Sequence, residues 1–304
     1  MGKDFAGLYR KLKKCLYKGK ILKNANLKEF SSYQIGGKAK ILVEVTSIEE
    51  IFKVLSVLEK STAKYKIIGN GSNILFSDEG YDGVVVEISS MFNRIEKWGN
   101  KLIVESGASL NSVVAFAIQH GLQGLEEGAG IPGSVGGAVY MNASAYSYET
   151  ANVVSSVLAV VDGKIRHFTK DECGFGYRKS VFQTFNNPII IRVEFSLKRG
   201  KTKEIRQTMV ETLAKRKQNQ PLEYPSCGSV FKRIDGVTVS KLLDENGFKG
   251  RRVGGAMVSP KHANFIINDG NATANDVLTL IEEIKKEVKE KHNIELETEV
   301  EYIE

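Results

Sequence analysis

The chain has 304 residues, 42% of them hydrophobic and 26% charged, a balance that allows two or three compact domains and excludes a disordered or fibrous protein. Its formal net charge of +7 suits anionic ligands, but the Lys and Arg residues are dispersed outside the first twenty positions, so no nucleic-acid partner is expected. No apolar run approaches the roughly 18 residues that span a bilayer, and the start, MGKDFAGLYRKLKK, matches neither a signal peptide nor a myristoylation site, so a cytoplasmic protein without a membrane partner is expected.

The first twenty residues fit an amphipathic helix with Phe5, Leu8, Leu12 and Leu16 on one face and lysines on a solvated face. KILVEV (Lys40 to Val45) alternates as a strand. In the helical stretch that follows, Thr46 and Ser47 each stand three residues before Glu49 and Glu50, the spacing of a capping box. KYKII reads as a buried strand running into Gly69-Asn70-Gly71-Ser72-Asn73, and GVVVEI and KLIVES are further strands. A helix starts at Ser109 and stops at Gly121. VLAVVDGKIRHF turns as a hairpin at Asp162-Gly163, and Pro188 to Leu197 is a strand. A boundary falls near residue 200, where RGKTKE interrupts the apolar pattern. One helix runs out before Pro221, and another carries Val277, Leu280, Ile281, Ile284 and Val288 on one stripe. IELETEVEYI closes with the alternation of a half-buried strand. Cys15, Cys173 and Cys227 are too few and too widely spaced for a disulfide framework or a zinc site, and no metal is expected.

Seven of the seventeen positions from Gly121 to Gly137 are glycine, and Gly128-Ala129-Gly130-Ile131-Pro132-Gly133 fits G-x-G-x-x-G. A dinucleotide fingerprint of that form needs a strand just before it and a helix just after it. The residues ahead of Gly128, LQGLEE, are not a strand, and Pro132 lies inside the motif; neither flank is expected to fit. The second loop, Gly69 to Asn73, does follow a strand, and Ser72 and Asn73 add side-chain donors to backbone N–H groups suited to an anion. Two such loops within one 200-residue region point to a bound diphosphate.

The ordered set GNGSN, GLEEGAGIPGSVGGAVYMNA, CGFGYRKSVF, PSCGSVFKR, KHANFIIN and TEV resembles the UDP-N-acetylenolpyruvoylglucosamine reductase family, from about Asn26 to Ile303. The first two motifs are shared with wider FAD enzymes of the vanillyl-alcohol-oxidase type; GYRKS, GSVF and the Glu of TEV separate this family from them. The resemblance implies an α+β fold: a two-subdomain FAD-binding domain of that type and a C-terminal α+β substrate-binding domain, with boundaries at 1–84, 85–200 and 201–304. It implies non-covalent FAD on Gly69, Asn70, Gly71, Ser72, Asn73, Ile74, Ala129, Pro132, Gly133, Ser134, Gly136 and Gly137, and NADPH as co-substrate. The short run at 183–187, QTFNN, leaves no room for a long tyrosine-bearing substrate loop and marks the compact subtype. A monomer is expected.

Hydride addition to an enolpyruvyl ether leaves negative charge beside the substrate carboxylate, which a cation or a protonated acid stabilises. The adjacent carbon then needs a proton from a positioned acid. By the resemblance, Arg178 matches the enolate-stabilising arginine, Ser229 the proton donor and Glu299 the carboxylic acid partner. Spacing alone singles out none of them: Arg178 is otherwise a loop arginine, Ser229 a turn serine, and Glu299 one of four alternating carboxylates with Glu295, Glu297 and Glu301. Tyr177, Lys232, Arg233 and His262 fall in substrate-lining segments, although His262 also suits a structural role. Ser144 and Ser147 stand where the family often has glycine, and serine is strained there if those positions need positive φ. Thr298 replaces a frequent proline. Two other readings remain open at this point: another FAD oxidoreductase of the wider group acting on an alcohol or lactone, or a sugar-nucleotide-binding module without redox chemistry.

Overall fold

The computed structural model describes residues 4–304; residues 1–3, on which the signal-peptide and lipidation readings partly rest, lie outside the described residues. Among these, α-helices run over Phe5–Lys13 (α1), Ile48–Leu58 (α2), Leu110–Gln119 (α3), Val135–Tyr140 (α4), Thr150–Val153 (α5), Thr202–Asn219 (α6), Val239–Glu245 (α7) and Ala274–His292 (α8). None is long and apolar enough to cross a membrane. The chain divides into two compact units interleaved in sequence: residues 1–23, 41–70 and 83–215 form one, and 24–40, 71–82 and 216–304 the other.

Among the described residues the first unit contains two larger sheets, two two-stranded ones and two apolar cores. A four-stranded sheet, built mainly from this unit, has the order Lys20–Asn26, Lys38–Val45, Tyr81–Ile88, Tyr65–Ile68. Ile41, Val43, Val84 and Val86 pack beneath α1 and α2, burying Leu8, Leu12, Ile51 and Val54. Tyr65–Ile68 is an edge strand whose first three residues are half-buried, so the expectation of a buried strand holds only for Ile68. The second sheet is antiparallel, in the order Lys164–Thr169, Val154–Val161, Ile189–Ser196, Lys101–Glu105, Ile95–Trp98. The hairpin at Asp162-Gly163 forms as expected: both turn residues have positive φ, 51° and 71°, as a two-residue loop matched to strand twist requires. Helix α3 packs Val113, Val114 and Ala117 on this sheet, with Ser109 Oγ accepting from Ser112 N at its start and Gly121 at φ 63° after its end.

The second unit has one core, in which Val277, Leu280, Ile281, Ile284 and Val288 of α8 pack with Tyr33, Ile35, Leu75, Val230 and Phe231. A small antiparallel sheet joins Arg252–Val253, Ala256–Val258 and Ile266–Asn268, and Glu301–Ile303 pairs in parallel with Ile74–Phe76. Thr273 and Asp276 make a reciprocal capping box at the start of α8.

Several expectations are corrected. Among the described residues of the first twenty, only the nine of Phe5–Lys13 are helical, although Leu16 still packs on the same core. Ser47 caps α2, but the Glu50 carboxylate does not return to it: Oε1 accepts from the N–H groups of Tyr17, Lys18 and Gly19, and Oε2 from Thr46. The closing alternation is a strand only at Glu301–Ile303, which pairs with Ile74–Phe76; before it, the pairing is a single isolated bridge at Thr298. Glu295 and Glu297 are exposed, whereas Glu299 and Glu301 are half-buried, so the four carboxylates are not equivalent. The three cysteines are buried free thiols, as expected.

Candidate active site

In the first unit the long glycine-rich segment packs against the protein before it meets anything else. A 3-10 turn, Glu126–Gly128, precedes it. A helix does follow: α4 begins at Val135, with Ser134 Oγ accepting from Gly137 N at 3.3 Å. The expectation of no helix after the motif is therefore overturned. Ahead of it, Leu122–Gln123 form a two-residue strand paired with Lys198–Arg199, so the expectation of no strand in LQGLEE fails for those two residues. The fingerprint fails because the 3-10 turn, not a strand, leads into the glycines. The glycines have separate reasons. A Cβ at Gly69 would lie 2.5 Å from Ser134 Oγ, and one at Gly136 would lie 3.0 Å from Ser106 Cβ. These two let chain segments of the same unit approach. Gly133, at φ 118°, needs the left-handed region. Asn70, Pro132 and Gly137 are exposed and Ala129 is buried.

The six residues of α4 span roughly 9 Å, and its last carbonyl meets the loop that carries Arg178. Tyr140 O accepts from Ser180 Oγ at 2.6 Å and from Gln183 Nε2 at 3.2 Å. Tyr177 and Arg178 form the tip of a tight turn closed by two bonds between Gly176 and Lys179, each 3.0 Å. Arg178 sits at φ 53°, a conformation that costs a non-glycine residue energy and persists only when its surroundings impose it. Asn142 supplies much of that constraint. It is 1% exposed, and its Nδ2 donates to Gly176 O at 2.8 Å and Glu149 Oε1 at 2.6 Å, while Oδ1 accepts from Ala151 N at 2.9 Å. Gln183 Nε2 also donates to Arg178 O. The Arg178 guanidinium lies 5.2 Å from the Tyr177 ring centroid, and its Nη1 donates to Ser144 Oγ at 2.7 Å and Ser144 O at 3.2 Å.

The strain anticipated at Ser144 and Ser147 is absent. Neither has positive φ; in that run the left-handed residues are Asn142 and Tyr146. Both serines use their hydroxyls instead, Ser144 toward Arg178 and Ser147 toward Glu127 Oε1 at 2.5 Å.

The second unit holds Gly71, Ser72, Asn73 and Ile74 together with Ser229 and Glu299. A Cβ at Gly71 would fall 1.9 Å from Phe30 O, and its φ is 62°, so only glycine fits. Residues 230–232 run beside 297–299: Glu299 N donates to Val230 O at 2.7 Å, Lys232 N donates to Glu297 O at 2.8 Å, and Phe231 bridges Thr298. Asn264 secures the Phe231 side of this pairing through Oδ1 and Nδ2, each at 2.9 Å. Asn73 holds the Glu299 side, its Nδ2 donating to Glu299 O and its carbonyl accepting from Glu301 N, each at 3.0 Å. Ile74 stands opposite Glu301 in the parallel pair. Ser229 is half-buried, and Glu299 Oε2 is out of contact with solvent.

The remaining candidates are less convergent. Lys232 Nζ pairs with Glu297, and Arg233 is exposed. His262 stacks edge-on to Phe265 at 4.7 Å, and its Nδ1 accepts from Asn264 N at 3.3 Å. Burial holds it below the ordinary imidazole range, with Lys249 adding to the shift. Asn142, Ser180, Gln183 and Asn264 were not anticipated. For Asn142 a signal existed, because asparagine tolerates positive φ far better than most residues.

Residues 39–169 match the model of an FAD-binding domain, and residues 220–303 match that of the UDP-N-acetylenolpyruvoylglucosamine reductase C-terminal domain. A UDP-N-acetylenolpyruvoylglucosamine reductase of Clostridium novyi (strain NT) is 44% identical over 292 residues, 96% of this chain and 94% of the relative. The chain belongs to the UDP-N-acetylenolpyruvoylglucosamine reductase family. A second reductase, from Caldanaerobacter subterraneus subsp. tengcongensis, is 43% identical over 97% of this chain and 98% of its own length. The crystal structure of UDP-N-acetylenolpyruvylglucosamine reductase (MurB) from Thermus caldophilus superposes with a TM-score of 0.79 at 36% identity, over 95% of this chain and 100% of that one. The protein is thus an FAD oxidoreductase of the compact reductase type, with an FAD-binding domain ahead of the reductase C-terminal domain.

Proposed function

We propose that the protein reduces the enolpyruvyl ether of UDP-N-acetylglucosamine to the D-lactyl ether, giving UDP-N-acetylmuramate, with NADPH as the electron source. FAD, when bound and reduced, supplies the hydride to the methylene carbon of the substrate. Gly69 to Ile74, Ala129 and Pro132 to Gly137 would hold it through backbone and short side chains. Arg178 directs its guanidinium at the substrate carboxylate, where charge accumulates as the enolate forms. Such fixed charge aimed at a developing anion is commonly the largest single contribution to rate, about 3–4 kcal/mol per donor. Glu299 acts with it as the carboxylic acid partner. The Ser229 hydroxyl gives its proton to the carbon that bears the ether oxygen. Tyr177, Lys232, Arg233 and His262 would line the sugar-nucleotide path.

Ser229 is a weak acid in water, so this role requires neighbours that stabilise the alkoxide. The reading is supported by one observation above the rest: residues 230–232 run beside 297–299, so hydroxyl and carboxyl belong to adjoining segments. In the test, the purified protein is yellow, NADPH bleaches it, and the enolpyruvyl sugar nucleotide restores the colour. Ser229→Ala bleaches normally with NADPH but stalls on substrate. Normal turnover by that variant removes Ser229 from the mechanism, and a colourless protein that FAD cannot reconstitute overturns the redox reading altogether.

A further inference from the structure

We propose that Ser144 is a positioning residue for the Arg178 guanidinium, an inference that rests on the role given to Arg178 above. The turn at 176–179 fixes the arginine backbone, but a long side chain projecting from a fixed Cα still samples many rotamers. Here its end is caught. Ser144 lies in a two-residue strand, Ser144–Ala145, paired with Tyr148–Glu149, and both of its oxygens accept from Nη1. The shorter contact, 2.7 Å, is to the hydroxyl. The carbonyl, at 3.2 Å, is the only one of the two a glycine could offer.

The chemistry of the acceptor matters as well as its place. A carboxylate at this point would hold the guanidinium but neutralise it, leaving less charge for the enolate. A hydroxyl and a carbonyl orient one nitrogen without themselves carrying a charge that would neutralise it. The same buried Asn142 side chain that anchors Gly176 also holds Glu149, the register partner of Ser144. Donor and acceptor are thus parts of one braced pair of turns. Since Ser144 does not have positive φ, the serine is accommodated without strain.

The experiment follows the two half-reactions of the holoenzyme in a stopped-flow spectrophotometer. Ser144→Ala leaves flavin reduction by NADPH within about twofold of wild type and slows reoxidation by the enolpyruvyl sugar nucleotide roughly tenfold, with the loss in kcat rather than KM, the scale expected for one charge-assisted orienting bond. Ser144→Thr restores most of the rate, because it keeps the hydroxyl. In an Arg178→Ala background, Ser144→Ala adds nothing further. If Ser144→Ala fails to fold, Ser144→Gly serves in its place on the same unstrained backbone. Reoxidation at the wild-type rate in Ser144→Ala, beside a collapsed Arg178→Ala, overturns the positioning role and leaves the role of Arg178 intact. Equal slowing of both half-reactions also overturns it, since that marks a general structural defect. Normal reoxidation by Arg178→Ala removes the arginine from the mechanism and the inference with it.

Discussion

Replacing Glu50 with glutamine should destabilise the first unit more than any other single-atom change at a carboxyl there. The side chain is 1% exposed and serves five donors. Oε1 accepts from Tyr17, Lys18 and Gly19 N–H at 2.6, 2.8 and 3.0 Å, and Oε2 from Thr46 N and Oγ1 at 2.7 and 2.9 Å. Burial alone would raise this carboxyl. The backbone N–H groups of Gly19, Thr46, Lys18 and Tyr17 outweigh it and bring it from the ordinary 4.5 down to about 2. At 1.36 kcal/mol per unit, that difference corresponds to about 3 kcal/mol. Glutamine keeps one acceptor oxygen and turns an NH2 toward donors that then have no acceptor, so the loss near pH 7 should reach at least that size. For a unit of this size it equals a fall of roughly 6–12 °C in the midpoint of its thermal transition. Because the folded value is depressed, the stabilisation is full above about pH 4.5 and fades as pH drops toward 2. Urea melts of wild type and Glu50→Gln, followed by circular dichroism, should therefore differ widely at about pH 6.5 and by roughly half as much at about pH 3. A gap of equal size at both pH values would refute the electrostatic argument, and no gap at the higher pH would refute the structural one.

Two other changes probe the arginine loop and the Glu299 segment. Asn142→Asp puts a buried carboxylate against Glu149 Oε1 and Gly176 O; it should cost about 3–5 kcal/mol near pH 7. The loss should shrink near pH 5 as one of the two acids takes a proton, and a pH-independent loss in thermal melts would count against that explanation. Thr298 Oγ1 is buried without a hydrogen-bond partner among the described residues. Thr298→Val keeps the shape and removes an unpaired hydroxyl, so it should leave stability unchanged or raise it by about 1 kcal/mol; a loss of that size in urea melts would mean that the hydroxyl has a partner such as an ordered water.

Local chemistry was readable where it acts locally. Asp162-Gly163 announces a turn needing two left-handed residues, and Ser109 announces a helix start, because each signal and its consequence lie within four residues. Helix α4 was missed because VGGAVY, with two glycines, has poor intrinsic helix propensity; its cap and its packing on the second sheet of that unit supply what propensity does not. Glu50 had the spacing of a capping box, and only the fold reveals that three of its five donors come from residues 17–19. The closing alternation from Ile294 to Ile303 announced a strand but could not say where a partner would be found. The catalytic candidates came from ordered motifs and not from physics, for a similar reason. What sets Glu299 apart from Glu295 and Glu297 is burial, which is not written in period-2 alternation.

The interleaving of the second unit carries a consequence for how the chain folds. Asn268 Nδ2 bonds to Tyr33 O across 235 positions, Ser32 Oγ bonds to Ser226 O across 194, and Asp78 accepts from the first turn of α8 across 196. Tyr33, Ile35 and Leu75 are core residues of this unit, yet nearly all their companions come from residues 227–296. During synthesis, at about 5–20 residues per second, the two early segments emerge roughly ten seconds or more before the residues that bury them. Contacts of such long range close slowly, and apolar surface stays exposed while they do. The first unit has all of its chain by residue 215 and can assemble early. The segments that carry Asn73 and Glu299 are therefore the last to be organised, and the second unit is the part of the molecule most exposed to aggregation while it is being made.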